Sequence, residues 1–144
     1  MSDNDLSRFV EAQALVYPVA EAELRSGRKR SHWMWFVFPQ ISGLGHSPMA
    51  KTYAIRDRDE ARRYLAHPVL GARLACLVEA MLEHEDKSAR DILGSPDDLK
   101  FRSCLTLFEA VSRDEAERLL FGAALDRFYA GLRDARTLAL LNPG

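Results

Sequence analysis

The sequence predicts an all-α fold, a compact single domain of about seven to nine short and medium helices over residues 1–144. Three observations lead to this prediction. Apolar residues recur at helical spacing over most of the chain, residues that favour helix N-caps precede many of these segments, and strand-like runs are scarce. One extended apolar run, residues 33–38, is short enough to be a strand or a helix.

Helix boundaries in the N-terminal half follow from periodicity and capping residues. One face of a first helix carries four residues at helical spacing: Leu6, Phe9, Val10 and Gln13. A second helix has Pro18 in its first turn and is expected to end at Gly27. Ser47 and Pro48 begin another helix, and residues 57–60 resemble a capping box for the next one.

The C-terminal half is predicted to be helical by the same signals. A run of apolar residues at helical spacing indicates a core helix: Val69, Leu70, Leu74, Leu77, Val78, Met81 and Leu82. Ser88 is expected to cap a short helix that ends at Gly94, and residues 95–98 to start a long one. Residues 112–115 resemble a full capping box, and Asp134 is expected to cap the last helix.

Composition and charge are those of an ordinary globular protein. The formal net charge is −1, which argues against a nucleic-acid partner bound through overall charge. Cys76 and Cys104 lie in apolar helical patterns, so we expect buried, reduced thiols and a cytoplasmic location. Residues 1–5 are polar, unlike a secretory signal, and no apolar run reaches the ~18 residues needed to cross a membrane.

The predicted site is centred on residues 28–40, RKRSHWMWFVFPQ, called here the aromatic segment. His32 stands beside an indole, where it can serve as acid, base or hydrogen-bond donor, although a core histidine with one backbone partner explains it equally well. Trp33 and Trp35 share a face in a strand but diverge in a helix, where only one of them can line a pocket. Core packing alone also explains both indoles.

A second group of polar residues completes the predicted site. Lys29 lies among consecutive cations that can hold a phosphate, although a solvated helix end also explains them. Gln40 can present its amide to a ligand or simply belong to a loop. Asp97 is a candidate base or ribose-binding group, Lys100 a phosphate contact, and Ser103 lies one turn further along the same helix. Favourable interaction with the helix dipole, together with pairing to Lys100 or Arg102, is enough to explain Asp97 without a functional role. The predicted catalytic residues are thus His32 and Asp97, and the predicted ligand-binding residues are Lys29, Trp33, Trp35, Gln40, Lys100 and Ser103.

Several blocks of sequence carry a resemblance to a known family. They are residues 29–40, 67–71, 95–100 with 106–108, and Asp134 with 136–138. In the order and spacing of these blocks the chain resembles the bacterial domain of unknown function 1810 family, from about Leu6 to Leu141. The resemblance implies a compact, mainly helical domain and no established activity. Some members are labelled calpastatin, a disordered repeat protein, whereas this chain has continuous apolar periodicity and no repeats.

Two short strings are similar to a second family. Residues 9–13, FVEAQ, and 47–50, SPMA, resemble the ADP-ribose-linked family that includes a hydrolase of riboflavin-pathway intermediates. This resemblance implies binding or cleavage of an N-glycosidic, phosphorylated small molecule, and it assigns no catalytic residue. The strings are too short to identify a reaction.

The favoured hypothesis is a cytoplasmic protein that recognises a small anionic metabolite, nucleotide-like or ADP-ribose-like, with hydrolysis left open. In this hypothesis Lys29 and Lys100 hold phosphate, a tryptophan stacks on a ring, and His32 or Asp97 activates water. No cofactor is expected, and no metal site, because no two histidines lie three or four residues apart. The alternative is a non-enzymatic interaction domain whose aromatic segment contacts a protein partner. A concave polar cleft would favour the ligand, a flat apolar patch the partner.

Overall fold

The computed structural model describes the backbone of residues 2–142 and the side chains of residues 6–142. The polar residues 1–5, on which the absence of a secretory signal was predicted, therefore lie outside the described side chains. Ten helices form within the described chain: α1 Ser2–Gln13, α2 Tyr17–Ser26, α3 Met34–Val37, α4 Pro48–Thr52, α5 Arg58–Ala66, α6 Leu70–Leu82, α7 Ala89–Leu93, α8 Asp97–Ala110, α9 Glu115–Tyr129 and α10 Ala135–Leu141.

The all-α prediction is confirmed. Over residues 2–142 no strand is formed, and the nearest approach to one is an isolated parallel bridge between Ile41 and Ile55. The helix count exceeds the predicted range because residues 34–37 form a short helix of their own, α3. Trp33 is fully buried at its start, whereas Trp35 is only half-buried, so the two indoles diverge as expected for a helix.

Helix α8 lies at the centre of the packing, in contact with α5, α7, α9 and α10. Its side chains are buried continuously over 103–108, and the ring of Phe101 lies 4.7 Å from that of Phe38 in the aromatic segment. Both cysteines are free; Cys104 is buried in this core, while Cys76 is half-buried rather than fully buried as predicted. Helix α8 thus holds the aromatic segment on one side and α10 on another.

Helix N-caps follow the sequence signals closely. Four predicted capping residues accept a hydrogen bond from the backbone N–H three residues on: Ser47, Asp57, Ser88 and Asp134. The prediction for α9 was wrong by two residues, because Asp114, not Ser112, is the N-cap and accepts from Glu117 N at 2.9 Å. The Ser112 hydroxyl instead donates to Phe108 O at 2.9 Å, at the end of α8.

This corrected cap gives a testable expectation for α9. We expect Asp114→Ala to lower the free energy of unfolding by about 1 kcal/mol, because it leaves an N–H of the first turn without an acceptor. Asp114→Asn retains an acceptor and is the matched control. Urea denaturation measures both variants beside Ser112→Ala. A larger loss in Ser112→Ala than in Asp114→Ala would mean that the serine caps the helix after all.

A helix that crosses a membrane must be long and apolar. No single helix in this part of the chain is both long and apolar enough to cross a membrane. The bent pair α5 and α6, at 85° to each other, meets the requirements of length and composition only when both helices are taken together.

Candidate functional site

A cleft opens between α8, the start of α10 and the loop after the aromatic segment; we call it the α8–α10 cleft. It has a volume of about 330 Å³. Leu44 and Leu99 contribute apolar wall, and the polar lining residues are Gln40, Lys100, Arg102, Ser103, Asp134 and Arg136. A concave site with a few converging polar groups is the usual form of a small-molecule site.

The charges of the α8–α10 cleft are unbalanced. Three cations, Lys100, Arg102 and Arg136, line it with one carboxylate, Asp134. Arg102 Nη2 lies 3.6 Å from Asp134 Oδ1, and the buried Arg102 Nε has no hydrogen-bond partner among the described residues. Arg136 is exposed. A positive concave surface of this kind concentrates anions.

Asp134 connects α10 to α8. Its Oδ2 accepts hydrogen bonds from Thr137 N at 3.1 Å, Thr137 Oγ1 at 2.5 Å and Ser103 Oγ at 3.2 Å. Its backbone N–H donates to Thr106 Oγ1 at 3.0 Å. These bonds fix the carboxylate in the wall of the cleft, with one oxygen fully used in capping and packing.

A narrow crevice continues from the cleft towards Trp35, and we call it the Trp35 crevice. It shares Gln40, Gly45 and Lys100 with the cleft, and Tyr53 lines its far end. Lys100 Nζ lies 5.8 Å from the centre of the Trp35 ring, within range of a cation–π contact. The crevice has a volume of about 10 Å³, room for about one water-sized group. A ligand ring therefore does not fit against Trp35 in this conformation.

Beside the crevice, the aromatic segment and the start of α8 meet through a buried ion pair. Lys29 Nζ lies 2.9 Å from Asp97 Oδ2 and 5.0 Å from the centre of the Trp33 ring. Lys100 Nζ lies 3.6 Å from Asp97 Oδ1. The Lys29 side chain is only 8% exposed, so its charge is directed at Asp97 and the indole rather than at solvent.

The residues selected from sequence thus occupy three places. Four of them line the cleft or the crevice: Trp35, Gln40, Lys100 and Ser103. Lys29, Trp33 and Asp97 form the packed layer next to it. His32 is exposed and is not among the residues that line either cavity. The roles assigned to these residues stay predictions.

Sequence reasoning missed three residues of the cleft. Asp134 was interpreted only as a helix cap, and Arg102 and Arg136 were given no role in a site. One signal in the sequence pointed to them: Asp134 and residues 136–138 form one of the blocks that resemble the family. A helix cap alone requires Asp134 but not Arg136. The contact between α8 and α10 is what brings these residues together.

Sequence reasoning also missed Glu23, which organises the start of the aromatic segment. Its Oε1 accepts from Trp33 Nε1 at 2.9 Å, Arg30 N at 3.0 Å and Ser31 N at 3.1 Å, and its Oε2 accepts from Ser31 Oγ at 2.6 Å. Partial burial raises the pKa of Glu23, but these hydrogen bonds outweigh it and lower that pKa to about 2. One carboxylate thus satisfies the buried indole N–H and fixes the turn that carries His32.

A metal site needs several ligating side chains close together. Among the side chains of residues 6–142, no three His, Cys, Asp or Glu residues come together in an arrangement that could hold a metal ion. The functional groups that line the cleft are the side-chain cations, the Gln40 amide, the Ser103 hydroxyl and the Asp134 carboxylate.

Comparison with known proteins shows the family of the chain. The model of a family described as "Protein of unknown function (DUF1810)" matches residues 3–141. The chain belongs to the DUF1810 family. This DUF1810 chain is similar to the crystal structure of the conserved hypothetical protein Rv1873 from Mycobacterium tuberculosis, with 49% sequence identity and a TM-score of 0.91 over 95% of this chain and 96% of that chain. No curated protein matches the sequence.

The family match confirms the first resemblance found in the sequence. It covers nearly all of this DUF1810 chain, and the likeness to Rv1873 extends it to the three-dimensional fold. Neither description names an activity or a ligand.

Proposed function

We propose that this DUF1810 protein binds a small anionic metabolite in the α8–α10 cleft. The main support is the convergence of Lys100, Arg102 and Arg136 on one concave surface lined by a single carboxylate, Asp134. Lys100 and Arg102 have carboxylate neighbours, Asp97 and Asp134, each at 3.6 Å, whereas Arg136 forms no ion pair with a described residue. Guanidinium groups bind carboxylates and phosphates through paired hydrogen bonds, and a concave wall of low dielectric strengthens their field. An anion is the ligand that this combination favours.

The size of the cleft narrows the choice of ligand. Its volume of about 330 Å³ lies near the lower end of the ~300–1,000 Å³ range of small-molecule sites. The sequence-based hypothesis named nucleotide-like and ADP-ribose-like compounds. The cleft supports the smaller members of that range, because the adjoining Trp35 crevice has no room for a second ring.

Binding has more support than hydrolysis. Both oxygens of Asp97 are engaged by lysines, Lys29 at 2.9 Å and Lys100 at 3.6 Å, and Asp97 is not among the residues that line the cleft. His32 is exposed and lies outside the lining of the cleft. The proposal therefore includes hydrolysis by His32 and Asp97 only as a secondary possibility to be tested by turnover.

A protein partner for the aromatic segment has less support. Three of its large apolar side chains, Trp33, Phe36 and Phe38, are buried in the core. Little apolar surface is left on the segment for a partner to cover.

We also propose a cytoplasmic location. The two free cysteines support it, because free thiols are usual in a reducing compartment.

A thermal-shift screen tests the proposal. We expect at least one of the nucleotides, ADP-ribose, pyridine and flavin precursors, sugar phosphates and simple phosphates to raise the melting temperature by several degrees, since ligand at 100 times its Kd adds about 2.7 kcal/mol. Arg136→Gln is expected to weaken this ligand about tenfold to hundredfold, as for the loss of one hydrogen bond to a charged group.

The matched control is Arg62→Gln on α5. Arg62 is also an exposed arginine on a helix, and no ion pair or hydrogen bond to it is found among the described residues. It is expected to bind the ligand as wild type does. A shift that survives Arg136→Gln, or no shift with any anion, would contradict an anion site in the cleft.

A further inference from the structure

Resting on the proposed anion site, we propose that the α8–α10 cleft selects anions that also carry neighbouring hydroxyl groups, the chemistry of a phosphorylated sugar or polyol. Asp134 is the residue that makes this selection. Its Oδ1 accepts hydrogen bonds from the ligand's hydroxyl groups while the cleft's cations hold the anionic group.

The two oxygens of Asp134 are used unequally. Oδ2 accepts three hydrogen bonds, two from Thr137 and one from Ser103. Oδ1 accepts none within the described part of the chain, and its nearest cation, Arg102 Nη2, lies 3.6 Å away. Each carboxylate oxygen can accept about two hydrogen bonds. Helix capping therefore explains Oδ2, whereas Oδ1 has only its ion pair with Arg102 and can still accept hydrogen bonds.

A carboxylate in the wall of an anion site has a definite effect on selectivity. Against a bare phosphate it is repulsive, so it lowers the affinity for simple anions. Against a ligand with hydroxyl groups it is attractive, because a carboxylate is an acceptor and a hydroxyl donates. Asp134 therefore favours an anion with hydroxyl groups over one without them.

Two further lining groups fit the same ligand. The Gln40 amide, which can donate and accept at once, is half-exposed in the cleft, and none of the described residues forms a hydrogen bond with its side chain. Leu44 and Leu99 offer apolar surface to the carbon face of a sugar. The volume of about 330 Å³ suits one ring with a phosphate.

Calorimetric titration of the full chain tests this inference with four probes: inorganic phosphate, ribose 5-phosphate, ribose and AMP. We expect wild type to bind ribose 5-phosphate at least tenfold more tightly than phosphate, and ribose only weakly. Comparing ribose 5-phosphate with AMP distinguishes a free sugar phosphate from the ribose phosphate of a nucleotide. Equal affinity for AMP indicates the ribose phosphate of a nucleotide, and weaker affinity indicates a free sugar phosphate.

Asp134→Asn is the deciding variant, because asparagine caps a helix as well as aspartate does. It is expected to bind phosphate more tightly than wild type and to lose most of the preference for ribose 5-phosphate. The matched control, Asp126→Asn, removes the same charge from a side chain that is 72% exposed on α9 and should keep the wild-type preference. If Asp134→Asn does not fold, Gln40→Ala replaces it and should reduce the same preference.

The outcomes separate this inference from the proposed function. Phosphate and ribose 5-phosphate binding with equal affinity to wild type, both weakened by Arg136→Gln, would overturn the hydroxyl selection and leave the anion site standing. A preference for ribose 5-phosphate that persists in Asp134→Asn would also overturn it. If no anion binds to wild type, both fail together.

Discussion

Replacing Glu60 by alanine is expected to lower the free energy of unfolding by about 2 to 4 kcal/mol. The Glu60 side chain is fully buried, and its Oε1 accepts from Arg8 Nη2 at 3.2 Å and from Arg56 N at 2.9 Å, while Arg56 Nη2 lies 3.3 Å from Oε2. Arg8 also donates to the backbone at Thr52 O and Ala54 O. The carboxylate thus holds α1 against the chain between α4 and α5.

The large effect follows from burial. Without the Glu60 carboxylate, the Arg56 N–H and the Arg8 guanidinium lose a buried acceptor, which costs far more than the loss of a surface charge. The Arg8 and Arg56 side chains are 24% and 54% exposed, so solvent offsets part of this loss. Glu85→Ala is the matched control, because Glu85 is exposed and is expected to change the free energy of unfolding by less than about 0.5 kcal/mol. Urea denaturation of both variants is the measurement. A loss below about 1 kcal/mol in Glu60→Ala would show that this ion pair is dispensable.

Replacing Glu23 by glutamine is expected to lower the free energy of unfolding by about 2 to 3 kcal/mol at neutral pH, the size found for hydrogen bonds to a charged group. The four hydrogen bonds that Glu23 accepts from Arg30, Ser31 and Trp33 require acceptor oxygens, whereas the glutamine amide nitrogen can only donate. With the amide oxygen at the Oε1 position, the three N–H bonds remain but lose the negative charge of their acceptor, and the Ser31 hydroxyl must accept from the amide instead of donating.

The same contacts predict a pH dependence. Because the folded-state pKa of Glu23 lies at about 2, below its ordinary value, this stabilisation is fully present above the ordinary pKa and is lost as pH falls towards about 2. The stability gap between wild type and Glu23→Gln should therefore narrow between pH 5 and pH 2. Glu11→Gln, at an exposed glutamate of α1, is the control and should show no such narrowing. A stability difference between wild type and Glu23→Gln that stays constant from pH 5 to pH 2 would contradict the lowered pKa of Glu23.

The fold could be predicted from the sequence to the extent that its signals are local. Ser88 and Asp134 cap helices through backbone groups only three residues away, so their own sequence neighbourhood determines the cap. The start of α9 was misplaced because Ser112 and Asp114, two residues apart, are both good caps. The choice between them depends on the hydrogen bond from Ser112 to Phe108, which belongs to the preceding helix.

The lining of the candidate site could likewise be predicted only where its signals are local. Lys100 and Ser103 were selected because they lie one turn apart on a helix whose start is evident from sequence, and both line the cleft. Asp134 and Arg136 were missed because they reach the cleft through the packing of α10 on α8, across some thirty residues of chain that no short-range pattern spans. Glu23 was missed for a similar reason, since its partners lie in the turn after α2.

Backbone amide chemical-shift mapping during titration with ribose 5-phosphate shows where the anion binds. Binding in the α8–α10 cleft predicts saturable shifts in residues 40–45, 100–103 and 134–137, which surround the cleft, and their loss in Arg136→Gln. Saturable shifts centred on residues 28–32 instead, around the exposed His32 and the neighbouring cations, would contradict it.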